Sequence, residues 1–108
     1  MTVMGEAGLQ AAVIDLAHLL GWRIFHARPA QNSRGDWRTA VSADGAGFPD
    51  LVMARKGVVI FAELKSEKGR LSPAQEAWLA ALAWNGNCRS FVWRPADWLG
   101  GRIERALH

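Results

Sequence analysis

The stretch Gly47-Phe48-Pro49-Asp50-Leu51-Val52-Met53-Ala54-Arg55-Lys56-Gly57-Val58-Val59-Ile60-Phe61-Ala62-Glu63-Leu64-Lys65 decides how the rest of the chain is arranged. Two apolar runs, Leu51 to Ala54 and Val58 to Leu64, flank a Gly-containing turn, which is the signal for a β-hairpin. With Lys56 and Gly57 as a two-residue loop, Arg55 pairs with Val58, Ala54 with Val59 and Met53 with Ile60, and Asp50 falls opposite Glu63. Residues directly opposite share a face, with Cβ atoms about 4.5–5.5 Å apart. Lys65 shares that face because strand side chains alternate with period two. Val58 to Ala62 is apolar at both parities, which predicts a strand buried on both faces.

Two carboxylates and one ammonium therefore converge at one end of an otherwise apolar strand pair. Like charges set opposite each other destabilise a sheet. A divalent cation removes the conflict, since Mg²⁺ takes one or two carboxylates together with waters and phosphate oxygens. The plainer alternative makes Glu63 and Lys65 a solvated strand end and Asp50 a turn residue after Pro49. A Glu-x-Lys alone would favour the plainer alternative. In register with Pro49-Asp50, it favours a site.

Pro49-Asp50 followed by Glu63-Leu64-Lys65 resembles the PD-(D/E)xK nuclease superfamily. Gly47-Phe48-Pro49-Asp50-Leu51, Glu63-Leu64-Lys65 and Leu71-Ser72-Pro73-Ala74-Gln75, in that order, are similar more narrowly to a stand-alone VRR-NUC domain of the phage and prophage type. The resemblance extends from Glu6 to Trp93-Arg94-Pro95. It implies Mg²⁺- or Mn²⁺-dependent cleavage of DNA, with the metal held by Asp50, Glu63, the Leu64 carbonyl and an acid on the first helix, the place of Glu6. It further implies a glutamine beside the site, the place of Gln75, and a homodimer acting on branched DNA.

At 108 residues the chain makes a single domain, 1–108, able to bury a core without staples. Its one cysteine, Cys88, rules out an internal disulfide and suits a reducing cytoplasm. Cys88 opens an apolar run and reads as buried filler. No stretch approaches the roughly 18 apolar residues of a membrane span, and the start of the chain has no signal-peptide pattern. These features predict a cytoplasmic protein with no membrane partner, and the resemblance implies a bacterial or phage-infected cell. The net charge of +3 permits a polyanionic partner, and ten of the thirteen basic residues are arginines, suited to bidentate phosphate contacts.

Glu6 to Leu20 reads as an amphipathic helix with Leu9, Val13, Leu16 and Leu20 on its core stripe and Gly21 as its stop. Glu6 lies seven residues before Val13, about 20° from the same line on a 3.6-residue helix. It either heads that stripe or complements the helix dipole. Gln10 faces the same way. Trp22 to His26 reads as a strand, with His26 as a surface residue at its exit.

Residues 28–47 carry Pro, Asn, Ser and Gly with no period, the mark of a mobile loop. Arg28, Arg34 and Arg38, with Trp37 beside the last, suit a nucleic-acid surface. Ser66 to Arg70 is a polar turn with two further cations, Lys68 and Arg70. Ser72-Pro73-Ala74-Gln75 has capping-box spacing, which accounts for Gln75 without any chemistry. The helix that follows presents Trp78, Leu79, Ala81 and Leu82 and ends at Asn85-Gly86. Cys88 to Trp93 is a last strand, and Pro95 starts a terminal helix interrupted by Gly100-Gly101 with Arg102 and Arg105 facing out. Trp78 and Trp93 read as core, Trp84 and Trp98 as edge residues open to a partner.

The predicted fold is α/β, with an αβββαβ order and a mixed four-stranded sheet flanked by helices. This is also the restriction-endonuclease-like core of the resembled superfamily. The predicted function is metal-dependent DNA endonuclease, selective for branched or junction DNA. Two other classes compete: a catalytically silent nucleic-acid-binding module, against which Asp50, Glu63 and Lys65 speak, and a protein-interaction domain that uses its tryptophans.

Overall fold

The structure is a computed structural model that describes residues 4–27, 30–31, 37–38 and 42–108. Helix α1 (Glu6–Leu19) leads through Gly21, at φ +85°, into strand β1 (Arg23–His26). Two-residue strands β2 (Ala30–Gln31) and β3 (Trp37–Arg38) pair antiparallel with each other. The hairpin strands β4 (Leu51–Arg55) and β5 (Val58–Leu64) follow, then helix α2 (Pro73–Ala81) and strand β6 (Cys88–Trp93). Helices α3 (Pro95–Leu99) and α4 (Arg102–Leu107) end the chain.

The main sheet runs β1-β4-β5-β6. The first two pairings are antiparallel and β5–β6 is parallel. Parallel neighbours need a crossover, and α2 supplies it. The αβββαβ order and the mixed four-stranded sheet stand as the sequence predicts. The hairpin register does too: Arg55 pairs with Val58, Ala54 with Val59 and Met53 with Ile60. Lys56 at φ 50° and Gly57 at φ 82° give the two positive φ values that a tight two-residue turn needs to match strand twist.

One face of the sheet forms the core. Leu51, Met53, Ile60, Ala62, Leu64 and Trp93 lie fully or almost fully buried with Leu9, Val13 and Ala17 of α1 and Ile103 and Leu107 of α4. Each of the Leu, Ile, Val and Met side chains among them contributes about 1.5–3 kcal/mol by leaving water. At the end of the sheet where β1 begins, the Trp22 indole donates to the Leu107 carbonyl at 2.8 Å. The Arg55 guanidinium stacks 4.5 Å from that ring. It also donates to the carbonyls of Leu20 and His108.

The structure corrects five expectations. On α1 the innermost line is Leu9, Val13 and Ala17, while Leu16 and Leu20 are only partly buried against it. Strand β5 is not buried on both faces: Ile60, Ala62 and Leu64 are inside, but Val59 and Phe61 on the other face are half-buried. On that face Phe48 lies between Phe61 and Trp78 of α2, and no side chain of α2 is fully buried. Trp78 is accordingly no core residue. It meets Phe48 edge-on at 4.9 Å and donates to the Asp44 carbonyl at 2.7 Å. Finally, the stretch expected to carry no regular structure holds the β2–β3 pair. Trp84 is exposed as expected, whereas Trp98 packs partly against the core.

Candidate active site

The exit of β1, the entry of β4, the exits of β5 and β6 and the start of α1 all lie at one end of the main sheet, by the direction of the chain through each element. Paired strand residues end at Leu51 and Ala62, and Asp50 and Glu63 stand one step beyond. Asp50 folds inward, its Oδ2 accepting the Leu64 N–H at 2.8 Å. Glu63 is the one buried charged side chain among the described residues, 2% exposed. Burial first, then the charge of Asp50 and a hydrogen bond with its carboxylate, push the Glu63 carboxyl up from 4.5 to about 8. Glu6 acts in the same direction, and Lys65 opposes it. Of the three neighbouring charges that act on this buried carboxyl, Asp50 acts most strongly and Glu6 least.

Gln75 is held by the capping box read from Ser72-Pro73-Ala74-Gln75. The Gln75 Oε1 accepts the Ser72 N–H at 2.8 Å, and the Ser72 Oγ accepts the Gln75 N–H at 3.2 Å. With its oxygen committed to the box, the amide turns its Nε2 to Glu63 Oε1 at 3.1 Å. The two readings of Gln75 are therefore compatible, since one side chain caps α2 and contacts the buried carboxyl. What brings α2 this close is Gly47. A Cβ on Gly47 would lie 2.6 Å from the Ala74 carbonyl carbon and 2.8 Å from the Gln75 nitrogen, and its φ is +81°. Phe48, next in the chain, fills the gap between β5 and α2 by meeting both Phe61 and Trp78 edge-on.

Lys65 continues the face of Glu63, and its N–H donates to the Trp93 carbonyl at 3.0 Å. The turn after it is tied down by Arg94, whose Nη1 reaches the Ser66 and Gly69 carbonyls at 2.7 Å each and that of Glu67 at 3.4 Å. Lys68 and Arg70 in this turn are exposed. Sequence reasoning missed Arg94 as a site element, because its partners lie 25–28 residues away and no local pattern marks them.

Glu6 is exposed at the first turn of α1 rather than buried at the head of its stripe. Periodicity sets an angle around the helix, not depth, and the end of a helix overhangs its core. Among the described residues no three His, Cys, Asp or Glu side chains gather tightly enough to hold an ion by themselves. Asp50 and Glu63 meet; Glu6 stands off. Arg28 and Arg34 lie outside the described residues, as does the side chain of Arg38 on β3.

The oxygen-only donors at Asp50 and Glu63 are those that hard divalent cations prefer. A carboxyl driven to hold its proton by a neighbouring carboxylate is also the group such a cation would relieve. Among the described residues no helix is long and apolar enough to cross a membrane. No curated protein and no solved structure matches the chain. The family model described as the VRR-NUC domain matches residues 4–96, most of the 108 residues, and with the hairpin-borne Asp50, Glu63 and Lys65 in place the chain belongs to the VRR-NUC family of nuclease domains.

Proposed function

We propose that the chain is a DNA endonuclease that uses Mg²⁺ or Mn²⁺ to hydrolyse phosphodiester bonds and that it prefers branched or junction DNA. The observation that carries the reading is the pairing of buried Glu63 with Asp50 beside Lys65 at one end of the sheet. Asp50, Glu63 and the Leu64 carbonyl would hold the cation, with Glu6 reaching in from α1. When bound, the cation polarises the scissile phosphate and makes water a stronger acid.

The protein's own groups do the rest. Lys65 orients or deprotonates the attacking water and offsets charge that builds on the phosphate oxygens. Gln75, its Nε2 on Glu63, keeps that carboxylate aimed and stands where water or phosphate would pass. Lys68 and Arg70, with Arg28, Arg34 and Arg38, hold the DNA backbone. Two strands need two sites, and a two-fold homodimer would present them. Large exposed side chains such as Phe25 and Trp84 are suited to such an interface.

The test is cleavage of linear, flapped, forked and four-way DNA with and without Mg²⁺, beside melting of the protein alone. Glu63 holds its proton in the folded chain up to about pH 8, whereas the unfolded chain releases it near 4.5. Over that window the unfolded state binds fewer protons, so metal-free stability falls as pH rises, and it levels off above. A cation takes the ionised form and relieves this cost. Mg²⁺ or Mn²⁺ should therefore raise the melting temperature, by more at pH 8.5 than at pH 6. Asp50→Asn and Glu63→Gln should lose the rise. An undiminished rise in both variants would remove these carboxylates as ligands, and DNA left intact across the panel would remove the nuclease reading.

A further inference from the structure

We infer that Arg94 is a positioning residue for this site, resting on the nuclease reading above: its guanidinium holds the Ser66–Gly69 turn, and through it the stem of Lys65. One nitrogen gathers three carbonyls of that turn, two of them at 2.7 Å. The two at 2.7 Å use the two N–H groups of that nitrogen as charge-assisted bonds, about twice as strong as neutral ones, and the third at 3.4 Å is a weaker contact. The turn is tied to the start of α3 a second time, since Glu67 Oε2 accepts the Ala96 N–H at 2.9 Å. Arg94 is itself fixed. Its N–H donates to Asp97 Oδ2 at 2.8 Å, its carbonyl accepts the Asp97 N–H at 2.8 Å, and it caps α3 just ahead of the buried Pro95.

The clasp reaches Lys65 through Gly69. The Gly69 N–H closes the turn on the Ser66 carbonyl at 3.2 Å. A Cβ on Gly69 would lie 3.5 Å from Lys65 Cδ and 2.9 Å from Ser66 Oγ, so the folded turn lies directly along the lysine stem. Four methylenes give a lysine many rotamers. A wall along the stem removes those that would carry the ammonium away from Glu63. Lysine at position 94 would keep the charge, but its side chain ends one bond short of the Nη1 that makes these contacts, so it would serve less well.

The test compares wild type with Arg94→Ala and Arg94→Lys. In Arg94→Ala the turnover number for DNA cleavage should fall by about 10–100-fold, the scale of a misplaced catalytic group. KM should stay within about twofold, because most phosphate contacts remain. Arg94→Lys should lie between. Trypsin offers a readout that needs no DNA: Lys68 and Arg70 lie in the clasped turn and should be cut at least about 10-fold faster in Arg94→Ala at a temperature where the chain is folded. Added guanidinium ion at millimolar concentration should restore part of both. Unchanged tryptic cutting overturns the inference, as does a loss of kcat/KM carried wholly by KM. If the wild type cleaves no DNA at all, the nuclease reading falls, and the tryptic comparison alone decides whether Arg94 holds the turn.

Discussion

Replacing Lys65 by alanine is expected to slow DNA cleavage by at least about 100-fold, the scale for losing one general acid–base or electrostatic group. Lys65 is half-buried on the face of Glu63, and its ammonium counters the rise of the Glu63 carboxyl. A charge felt by the buried carboxyl is also felt by a phosphate drawn to the same place. Binding should hardly change, because one phosphate contact among several is removed. Arg28→Ala combined with Arg38→Ala should do the reverse, weakening binding and flattening its salt dependence while turnover at saturation persists. Filter-binding and single-turnover cleavage separate the two. Equal losses of affinity in both sets would sink the division of roles.

Gly47→Ala should destabilise the fold by about 2–5 kcal/mol, from left-handed backbone strain together with overpacking. Such a loss is a large share of the stability of a small domain. The comparison that isolates the cause is Gly57→Ala. The two glycines have nearly the same φ, +81° and +82°, but nothing lies within 4 Å of a Cβ on Gly57. Gly57→Ala should cost only the strain, about 1–2 kcal/mol. The difference between the two, read by urea melts, measures the packing of the Gly47 backbone on Ala74 and Gln75. If the two variants melt alike, the close approach carries no energy and α2 is held by other contacts.

The register of the hairpin was legible because a two-residue Lys-Gly turn and a period of two leave no freedom: one slip would exchange every buried residue for an exposed one. The meeting of Asp50, Glu63 and Lys65 follows from that register. The capping box at Ser72 was legible for the same kind of reason, since its chemistry lies within four residues. Depth was not. An apolar residue tolerates partial exposure, so Val59, Phe61 and Trp78 look in sequence like core residues and stand half-buried in the fold. The strand pair of Ala30–Gln31 with Trp37–Arg38 is too short to show a period. Contacts between distant residues, Arg94 with the Ser66–Gly69 turn or Gly47 with Ala74, leave no trace in local pattern.

That no side chain of α2 is fully buried has a consequence for motion. Its hold on the sheet rests on Phe48 and Trp78, the Gln75–Glu63 bond and the bare backbone at Gly47. Elements with so few buried contacts open at lower free energy than the whole molecule. Native-state hydrogen exchange should show the amides of Ala77 to Ala81 opening well below the threshold of Ile60 and Ala62 in β5. Shared exchange only through global unfolding would make the molecule one cooperative unit. With separate opening, the wall that carries Gln75 can part from the carboxylates while the sheet stays whole, and substrate meets a site whose rigid half is β4–β5 and whose yielding half is a helix.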